Sequence, residues 1–152
     1  MALPTSIELQ IVTPEKMLVR EQVDEVEIPG TEGYFGVLPG HTPMLASLAV
    51  GELWYRKGQE KTYLSIAYGF CEVLPERVTI LAQLAERAEE IDVARAEEAR
   101  KRAEARLVAS KGEVDYERAR SALAKSLARL QVSSRAQLAG RVGRQRMPPP
   151  QS

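Results

Sequence analysis

The sequence predicts an antiparallel β-sandwich or barrel followed by an antiparallel two-helix hairpin, a fold of the β + α class. Residues 1–81 hold six of the nine prolines, seven of the ten glycines and seven of the eight aromatic residues. Residues 82–139 hold no proline, and 32 of these 58 residues are Ala, Arg or Glu. The first composition is typical of short strands joined by turns, and the second of helices. We therefore expect a β head over residues 1–85, a helical arm over 86–135, and a disordered, basic and proline-rich tail over 136–152.

The strands of the head are predicted from alternating apolar and polar residues and from the turn residues between them. Residues 7–13 and 18–28 alternate clearly, and Pro29-Gly30 ends the second run. Residues 30–43 contain four glycines and two prolines, which indicates turns and close backbone contacts. Further short strands are predicted at residues 45–48, 52–56, 62–67, 70–74 and 78–81.

The arm is predicted to form two helices that lie side by side. Asp92 is placed to cap the first helix, with Ile91 as a hydrophobic staple, and Gly112 is placed to end it. Val114 and Asp115 repeat the staple and cap for a second helix that runs to about residue 134. The apolar stripes contain Ala96, Ala99, Ala103 and Leu107 on the first helix, and Tyr116, Ala119, Leu123, Leu127 and Leu130 on the second. Alanine buries little area, so we expect a marginal hairpin that is able to open.

Charge is distributed unevenly although the whole chain is neutral. Residues 1–85 carry 6 basic and 11 acidic side chains, whereas residues 118–152 carry 8 basic side chains and no acidic one. The basic end therefore favours an acidic partner over an ordinary solvated helix face. A helical wheel turns Lys125 and Arg129 away from the seam between the helices. Arg95, Arg102 and Arg106 share one edge of the first helix, and Arg118, Lys125 and Arg129 form a basic stripe on the second.

The residues that carry catalytic chemistry are scarce. His41 is the only histidine and Cys71 the only cysteine, which excludes an internal disulfide, disfavours a His/Cys metal site and leaves no credible Ser-His-Asp set. His41 lies among turn residues and is expected to be a turn or partner contact. The first basic residue is Lys16 and the apolar runs are short, so we expect neither a signal peptide nor a membrane span, and a cytosolic protein.

Two classes of function fit these observations. One is a regulatory or coupling subunit that combines a stable head with a weakly held arm. The other is a soluble adaptor whose basic arm binds nucleic acid, although this arm lacks aromatic residues for base stacking. An independent enzyme fits least well, because no catalytic constellation is present.

Four motifs favour the first class. They are residues 33–45 (GYFGVLPGHTPML), 78–82 (VTILA), 91–96 (IDVARA) and 114–116 (VDY). In this order and spacing they resemble the epsilon subunits of F-type bacterial ATP synthases over about residues 5–135. The resemblance implies a sandwich of about ten strands that binds the gamma subunit and the ring of c subunits, as a rotor subunit without its own catalytic site. It places the protein at the cytoplasmic side of the cell membrane, as a peripheral component of the proton-translocating complex.

The resemblance also implies a regulatory arm. The arm would alternate between a hairpin on the sandwich and an extended form that reaches the alpha and beta subunits and inhibits ATP hydrolysis. Tyr34 and His41 would be partner contacts of the head, although many members carry an acidic residue at position 34. Arg118, Lys125 and Arg129 would be partner contacts of the arm, facing an acidic segment of the beta subunit.

No cofactor is required, but some members bind ATP between sandwich and arm. The matching positions here are Glu86, Asp92, Arg95, Arg102, Lys125 and Arg129. Lys125 departs from the family pattern, which has arginine there, and it keeps the charge but loses the bidentate fork.

Overall fold

The computed structural model describes residues 2–145. The head contains seven strands: β1 (Ile7–Val12), β2 (Met17–Val23), β3 (Glu25–Gly30), β4 (Gly33–Val37), β5 (Met44–Lys57), β6 (Glu60–Val73) and β7 (Arg77–Arg87). A short 3-10 turn, Ala88–Glu90, leads to the arm, which contains α1 (Val93–Ala109) and α2 (Glu113–Gln145). Within this part of the chain, neither helix is apolar enough over a sufficient length to cross a membrane.

The strands form one hydrogen-bonded sheet in the order β2-β1-β7-β6-β5-β3-β4. The neighbours are antiparallel except for β1 and β7, which are parallel. The sheet folds over on itself, because β2 also contacts β5, which is not its neighbour in the sheet. The two layers of this sandwich enclose a single core, since alternate side chains of each strand point inward. The largest fully buried side chains include Ile7, Leu9, Ile11, Ile28, Leu53, Leu64, Ile66 and Ile80.

The expected number of about ten strands is wrong, since the described part of the chain forms seven. The predicted strands at 45–48 and 52–56 are parts of the single strand β5, and those at 62–67 and 70–74 are parts of β6. Conversely, the predicted strand at 18–28 divides into β2 and β3 at Asp24. The predicted antiparallel sandwich is confirmed, with the single exception of the β1–β7 pair, which is parallel.

Glycine placement explains why β5 and β6 continue where breaks between strands were expected. A Cβ atom on Gly51 would lie 2.4 Å from the Tyr34 hydroxyl, so this glycine permits close packing and does not form a turn. Gly69 has a φ of +124°, and a Cβ atom there would lie 2.0 Å from the carbonyl oxygen of Leu81. The preceding residue, Tyr68, has a φ of 62°. This left-handed step bends β6 without interrupting its pairing on either side.

The start of α1 follows the sequence, but its end does not, because α1 ends at Ala109 with Ser110 as an extended C-cap and Gly112 lies beyond it. The Asp92 side chain accepts a hydrogen bond from the Arg95 backbone N–H at 3.1 Å, as an N-cap does. Gly112, with a φ of 88°, lies in the connection that turns the chain back. The second predicted cap is wrong, because α2 begins at Glu113 and Asp115 lies inside its first turn. Val114 is exposed and forms no staple.

The second helix is longer than predicted. It ends at Gln145 and not near residue 134, so residues 136–145, expected to be disordered, are helical. The extension consists mainly of residues with good helix propensity, such as Ala, Arg, Gln and Leu. It also has an anchor, because Ala136 packs with Val132 against Ala88, Ile91 and Tyr63. The remainder of the predicted tail, residues 146–152, lies outside the described residues.

The glycine contacts give a first test of the fold. Substitution Gly69→Ala is expected to lower the free energy of unfolding by about 2–6 kcal/mol, because backbone strain and a backbone clash add together. Gly33→Ala has the same φ of +124° with no atom near the new Cβ, so it should cost only about 1–3 kcal/mol of strain. Gly36→Ala has neither problem and serves as the control. Urea denaturation of the three variants measures the differences, and equal costs for Gly69→Ala and Gly33→Ala would refute the clash.

Candidate functional site

A cleft of about 510 Å³ separates the arm from the sandwich. This volume lies within the range of about 300–1,000 Å³ that is usual for small-molecule sites. Four elements line it, with the sheet as its floor and the two helices as its walls. The lining residues are Ser65 and Ala67 of β6, Leu84, Ala85 and Glu86 of β7, Arg95, Ala99, Arg102, Ala103 and Arg106 of α1, and Ala122, Lys125, Ser126 and Arg129 of α2.

The small side chains of α1 create this cleft. Ala96 and Ala103 are buried and Ala99 is half-buried, so the predicted alanine stripe faces inward, with Ala99 and Ala103 at the cleft. Alanine fills little of the space between two helices and a sheet, which leaves room beside the seam. Arg95, Arg102 and Arg106 recur at helical spacing along the edge of this stripe. The three guanidinium groups therefore line one wall of the cleft.

The charges in the cleft are strongly unbalanced. Five basic side chains and one carboxylate line it. The carboxylate, Glu86, accepts two hydrogen bonds from Arg129 through one oxygen, at 3.1 Å from Nη2 and 3.2 Å from Nε. Within residues 2–145, neither Arg95, Arg106 nor Lys125 has an acidic partner within 4.0 Å. Such a concentration of unpaired cations in a cleft favours a polyanionic ligand.

Lys125 and Arg129 face inward, contrary to the helical wheel. Lys125 Nζ lies 5.5 Å from the centroid of the Tyr68 ring, and the Tyr68 hydroxyl lies 2.6 Å from Ser121 Oγ. The wheel considered only the seam with α1, whereas α2 also packs against β5 and β6. As a result Leu127, in the predicted apolar stripe, is about half exposed, and Val132, outside the stripe, is fully buried.

Five of the six positions suggested for ATP therefore meet in the cleft. They are Glu86, Arg95, Arg102, Lys125 and Arg129. The sixth, Asp92, is not among the lining residues and caps α1. Arg106 belongs to the lining although the sequence motif omits it, and its place on the same helix edge is the signal that identifies it.

The residues suggested as partner contacts do not form one surface, since Tyr34 and His41 belong to the head, whereas Arg118 and Lys125 of α2 line a common groove. Tyr34 is exposed on β4, and its hydroxyl accepts a hydrogen bond from the Glu52 backbone N–H at 3.1 Å. His41 follows the turn at Gly40, with Nδ1 at 2.7 Å from the Thr42 carbonyl oxygen. Arg118 is exposed on α2, beside the shallower groove that Tyr68 also lines.

The sandwich also exposes an apolar patch. Leu45, Phe70 and Leu81 belong to the adjacent strands β5, β6 and β7 and are all more than half exposed. Phe70 lies directly opposite Leu81, and the register of β5 places Leu45 on the same face. A contiguous patch of this kind usually marks a protein interface.

An ion pair between a buried carboxylate and a half-exposed guanidinium joins β5 to α2. Glu52 of β5 is covered by the arm, with 6% of its side chain exposed, and Arg135 Nε lies 3.6 Å from Glu52 Oε2. Burial raises the pKa of the Glu52 carboxyl, and the nearby Glu27 raises it further, while Arg135 and Lys61 act in the opposite direction. The sequence placed Glu52 in a strand but gave no sign that a helix would cover it.

The comparisons with known proteins cover both parts of the chain. The model of the ATP synthase delta/epsilon chain beta-sandwich domain matches residues 6–88, and that of the delta/epsilon chain long alpha-helix domain matches residues 89–134. The chain belongs to the ATP synthase delta/epsilon family. Its resemblance to epsilon subunits is thereby confirmed, and the nucleic-acid-binding adaptor is set aside.

Individual members of the family are similar over most of their length. The ATP synthase epsilon chain of Syntrophobacter fumaroxidans is 54% identical over 129 residues, which is 85% of this chain and 96% of that relative. The epsilon chain of Nitratidesulfovibrio vulgaris is 49% identical over 131 residues, which is 86% and 98%. Among solved structures, a chain of the Euglena gracilis mitochondrial ATP synthase (OSCP, F1 and c-ring, rotational state 1) aligns with a TM-score of 0.76 and 28% identity. That alignment covers 91% of this chain and 84% of that chain.

The ion pair gives a test with a defined sign. A carboxyl whose pKa is raised by folding is more stable protonated, so its contribution to stability is lost as pH rises from about 4.5 through the folded pKa. We therefore expect Glu52→Gln to match the parent in acid and to become progressively more stable than the parent towards neutral pH. Urea midpoints at a series of pH values measure this difference.

Glu8 is the control of opposite sign. Hydrogen bonds from Gln10 and Arg20 lower the pKa of its carboxyl, so its contribution is present above pH 4.5 and is lost in acid. Glu8→Gln should therefore be less stable than the parent at neutral pH and approach it in acid. If both variants shift in the same direction with pH, the burial account of Glu52 is wrong.

Proposed function

We propose that the protein is a rotor subunit of an F-type ATP synthase whose sandwich binds the central stalk and whose arm regulates ATP hydrolysis. The observation that carries this proposal is the match of both halves of the chain to the delta/epsilon family. The similar Euglena chain comes from a structure of F1 with the c-ring, which supports a position between these two parts. The protein has no catalytic site of its own in this proposal and acts through the complex, as a peripheral component on the cytoplasmic side of a bacterial membrane.

The head provides two surfaces for partners in this proposal. The patch of Leu45, Phe70 and Leu81 is apolar and exposed, which suits a permanent contact with the gamma subunit. The turn region with Leu38 and His41, together with Tyr34 on β4, is suited to the c-ring. Both surfaces belong to the sandwich, so the arm can move without disturbing them.

The arm is proposed to change position because the contacts that hold it to the head include polar pairs and only a small apolar cluster around Val132. Ser121 with Tyr68, Arg129 with Glu86 and Arg135 with Glu52 are polar pairs that water can replace when the arm leaves. Once extended, α2 would present a basic surface without acidic neighbours after Glu117. Such a surface is complementary to an acidic segment of the beta subunit, and its binding there would block rotation in the hydrolysis direction.

Removal of the arm tests this role. A chain that ends at Glu90 keeps all seven strands, so we expect the complex to assemble and to support proton-coupled ATP synthesis. ATP hydrolysis by this complex should be faster than with the full chain. Inhibition by the full chain should weaken with added salt, because charges are screened beyond about 8–10 Å. Failure to assemble, or unchanged hydrolysis, would contradict the division of labour between head and arm.

We further propose that the cleft binds ATP and thereby favours the closed arm. The volume of about 510 Å³ and the excess of cations suit a nucleoside triphosphate. Arg95, Arg102 and Lys125 would neutralise the phosphates, and Glu86 could accept a hydrogen bond from the base or sugar. Since both helices contribute to the cleft, a ligand there binds only the closed form and stabilises it by about 2.7 kcal/mol at a hundredfold excess over Kd.

Calorimetric titration of the isolated subunit with ATP tests the ligand. Arg95→Ala and Arg102→Ala should each weaken binding by about tenfold to a hundredfold, the loss of one charge-assisted contact. Lys101→Ala is the matched control, because Lys101 lies on α1 beside Arg102 but does not line the cleft. Absence of heat at millimolar ATP, or equal affinities in all three variants, would exclude this site.

A further inference from the structure

The carboxylate of Glu52 lies in an unusual environment for a charged group. Only 6% of its side chain is exposed, and among the described residues Oε2 has no hydrogen-bond partner. Its single ionic contact on the arm is Arg135, at 3.6 Å, and that guanidinium is 55% exposed. Burying a charged carboxylate costs free energy because the group loses its hydration. When it forms no hydrogen bond, only the attraction to its cationic partner offsets that cost.

The surroundings of the pair show that the arm provides the cover. Val132 is fully buried and Ser133 nearly so, whereas the flanking residues 131, 134 and 135 of α2 are exposed. Val132 and Ala136 pack against Ala88 and Ile91, with Tyr63 at the edge of this cluster. This second contact region, residues 132–136 of α2, follows Arg129, the last residue of the helix that lines the cleft.

Arg135 also marks a boundary in the comparisons. The family model for the helical domain ends at residue 134, whereas α2 continues as a helix to Gln145. The residue that faces Glu52 is therefore the first one beyond the segment that the family model describes.

We propose that Arg135 and Glu52 form a latch that makes closure of the arm conditional on the C-terminal extension of α2. When the arm lies on the sandwich, Arg135 compensates the charge that α2 buries. When the arm leaves, water solvates both groups and no charge is left uncompensated. A closed arm without Arg135 would hold a lone buried carboxylate, so loss of Arg135 disfavours the closed position as long as Glu52 keeps its charge. The inference rests on the proposed movement of the arm, but its test does not require the ATP synthase complex.

Accessibility of residue 133 reports the position of the arm. Ser133 is buried in the closed arm, and Ser133→Cys is a small change that places a thiol under α2. The rate at which a disulfide reagent modifies this thiol in the full-length subunit follows the fraction of open arm. The native Cys71 is 1% exposed and burial raises the pKa of its thiol, so the chain without the substitution provides the background rate.

In the Ser133→Cys background, Arg135→Ala should increase the modification rate by about tenfold, as expected when a buried charge loses its partner. Adding Glu52→Gln to Arg135→Ala should return the rate to that of the parent or below, because the neutral amide no longer needs the cation. Arg120→Ala is the matched control and should leave the rate unchanged. Arg120 pairs with Glu117 on the same helix at 3.9 Å, and both side chains are exposed.

Two results would overturn the latch. An unchanged rate in Arg135→Ala would show that the pair does not hold the arm. A raised rate that Glu52→Gln fails to reverse would show that Arg135 acts through packing and not through charge. Far-ultraviolet circular dichroism and thermal unfolding of each variant establish that the sandwich is intact. If the rates follow the prediction but hydrolysis by the complex is insensitive to the arm, the latch stands and the proposed regulatory role fails.

Discussion

The path of β5 and β6 is the constraint on which the rest of the structure depends. Each strand is 14 residues long, and the paired strands contribute to both layers of the sandwich, so their hairpin must bend without losing its hydrogen bonds. The bend lies at Tyr68 and Gly69, where the backbone of β6 approaches Leu81 too closely for a side chain. The same left-handed step aims the Tyr68 ring at α2, where it meets Ser121 and Lys125. The backbone conformation at Tyr68 and Gly69 therefore serves both the folding of the sheet into two layers and the contact between the sheet and α2.

Stability and adaptability are separated along the chain. The head has a continuous core of branched aliphatic side chains, whereas the helices meet through alanines and contact the head through polar pairs and a small apolar cluster around Val132. Burial of large aliphatic groups is worth about 1.5–3 kcal/mol each, and alanine contributes much less. The space that the alanines leave unfilled becomes the cleft, and the arginines along its edge give it its charge. The alanine- and arginine-rich composition of the arm therefore explains both the weak packing of its helices and the positive charge of the cleft.

Local rules predicted the features that depend on neighbouring residues alone. The cap at Asp92, the left-handed Gly112 and the alternation in β1 all follow from residues within a turn or a pleat of one another. The family resemblance was specific because its motifs are short and ordered. The sequence-based predictions that were wrong concern features that depend on contacts between residues distant in the chain. Gly51 permits packing against Tyr34, and a glycine of that kind cannot be distinguished from a turn residue in the sequence.

The arm shows the same limit more clearly. The helical wheel predicted that Lys125 and Arg129 point outward, because it considered only the contact of α2 with α1. In the structure α2 contacts α1 on one side and the sheet on another. The burial of Glu52 depends on a residue 83 positions later in the chain, Arg135. Neither periodicity nor propensity carries information over such a separation, so most of the cleft was predictable and the ion pair was not.

Because α2 is long, contacts at different points along it resist its rotation with different torques. At about 1.5 Å per residue, a helix of 33 residues is a rod of about 50 Å. If it pivots near Gly112, Ser121 lies only about 13 Å along the rod, whereas Arg135 lies about 35 Å along it. Equal forces at these two points resist rotation with torques in proportion to those distances, so the distal contact restrains the rod more than twice as strongly. A helix that grows by a few turns at its free end can thereby change the torque needed to release the whole arm without altering any residue near the pivot.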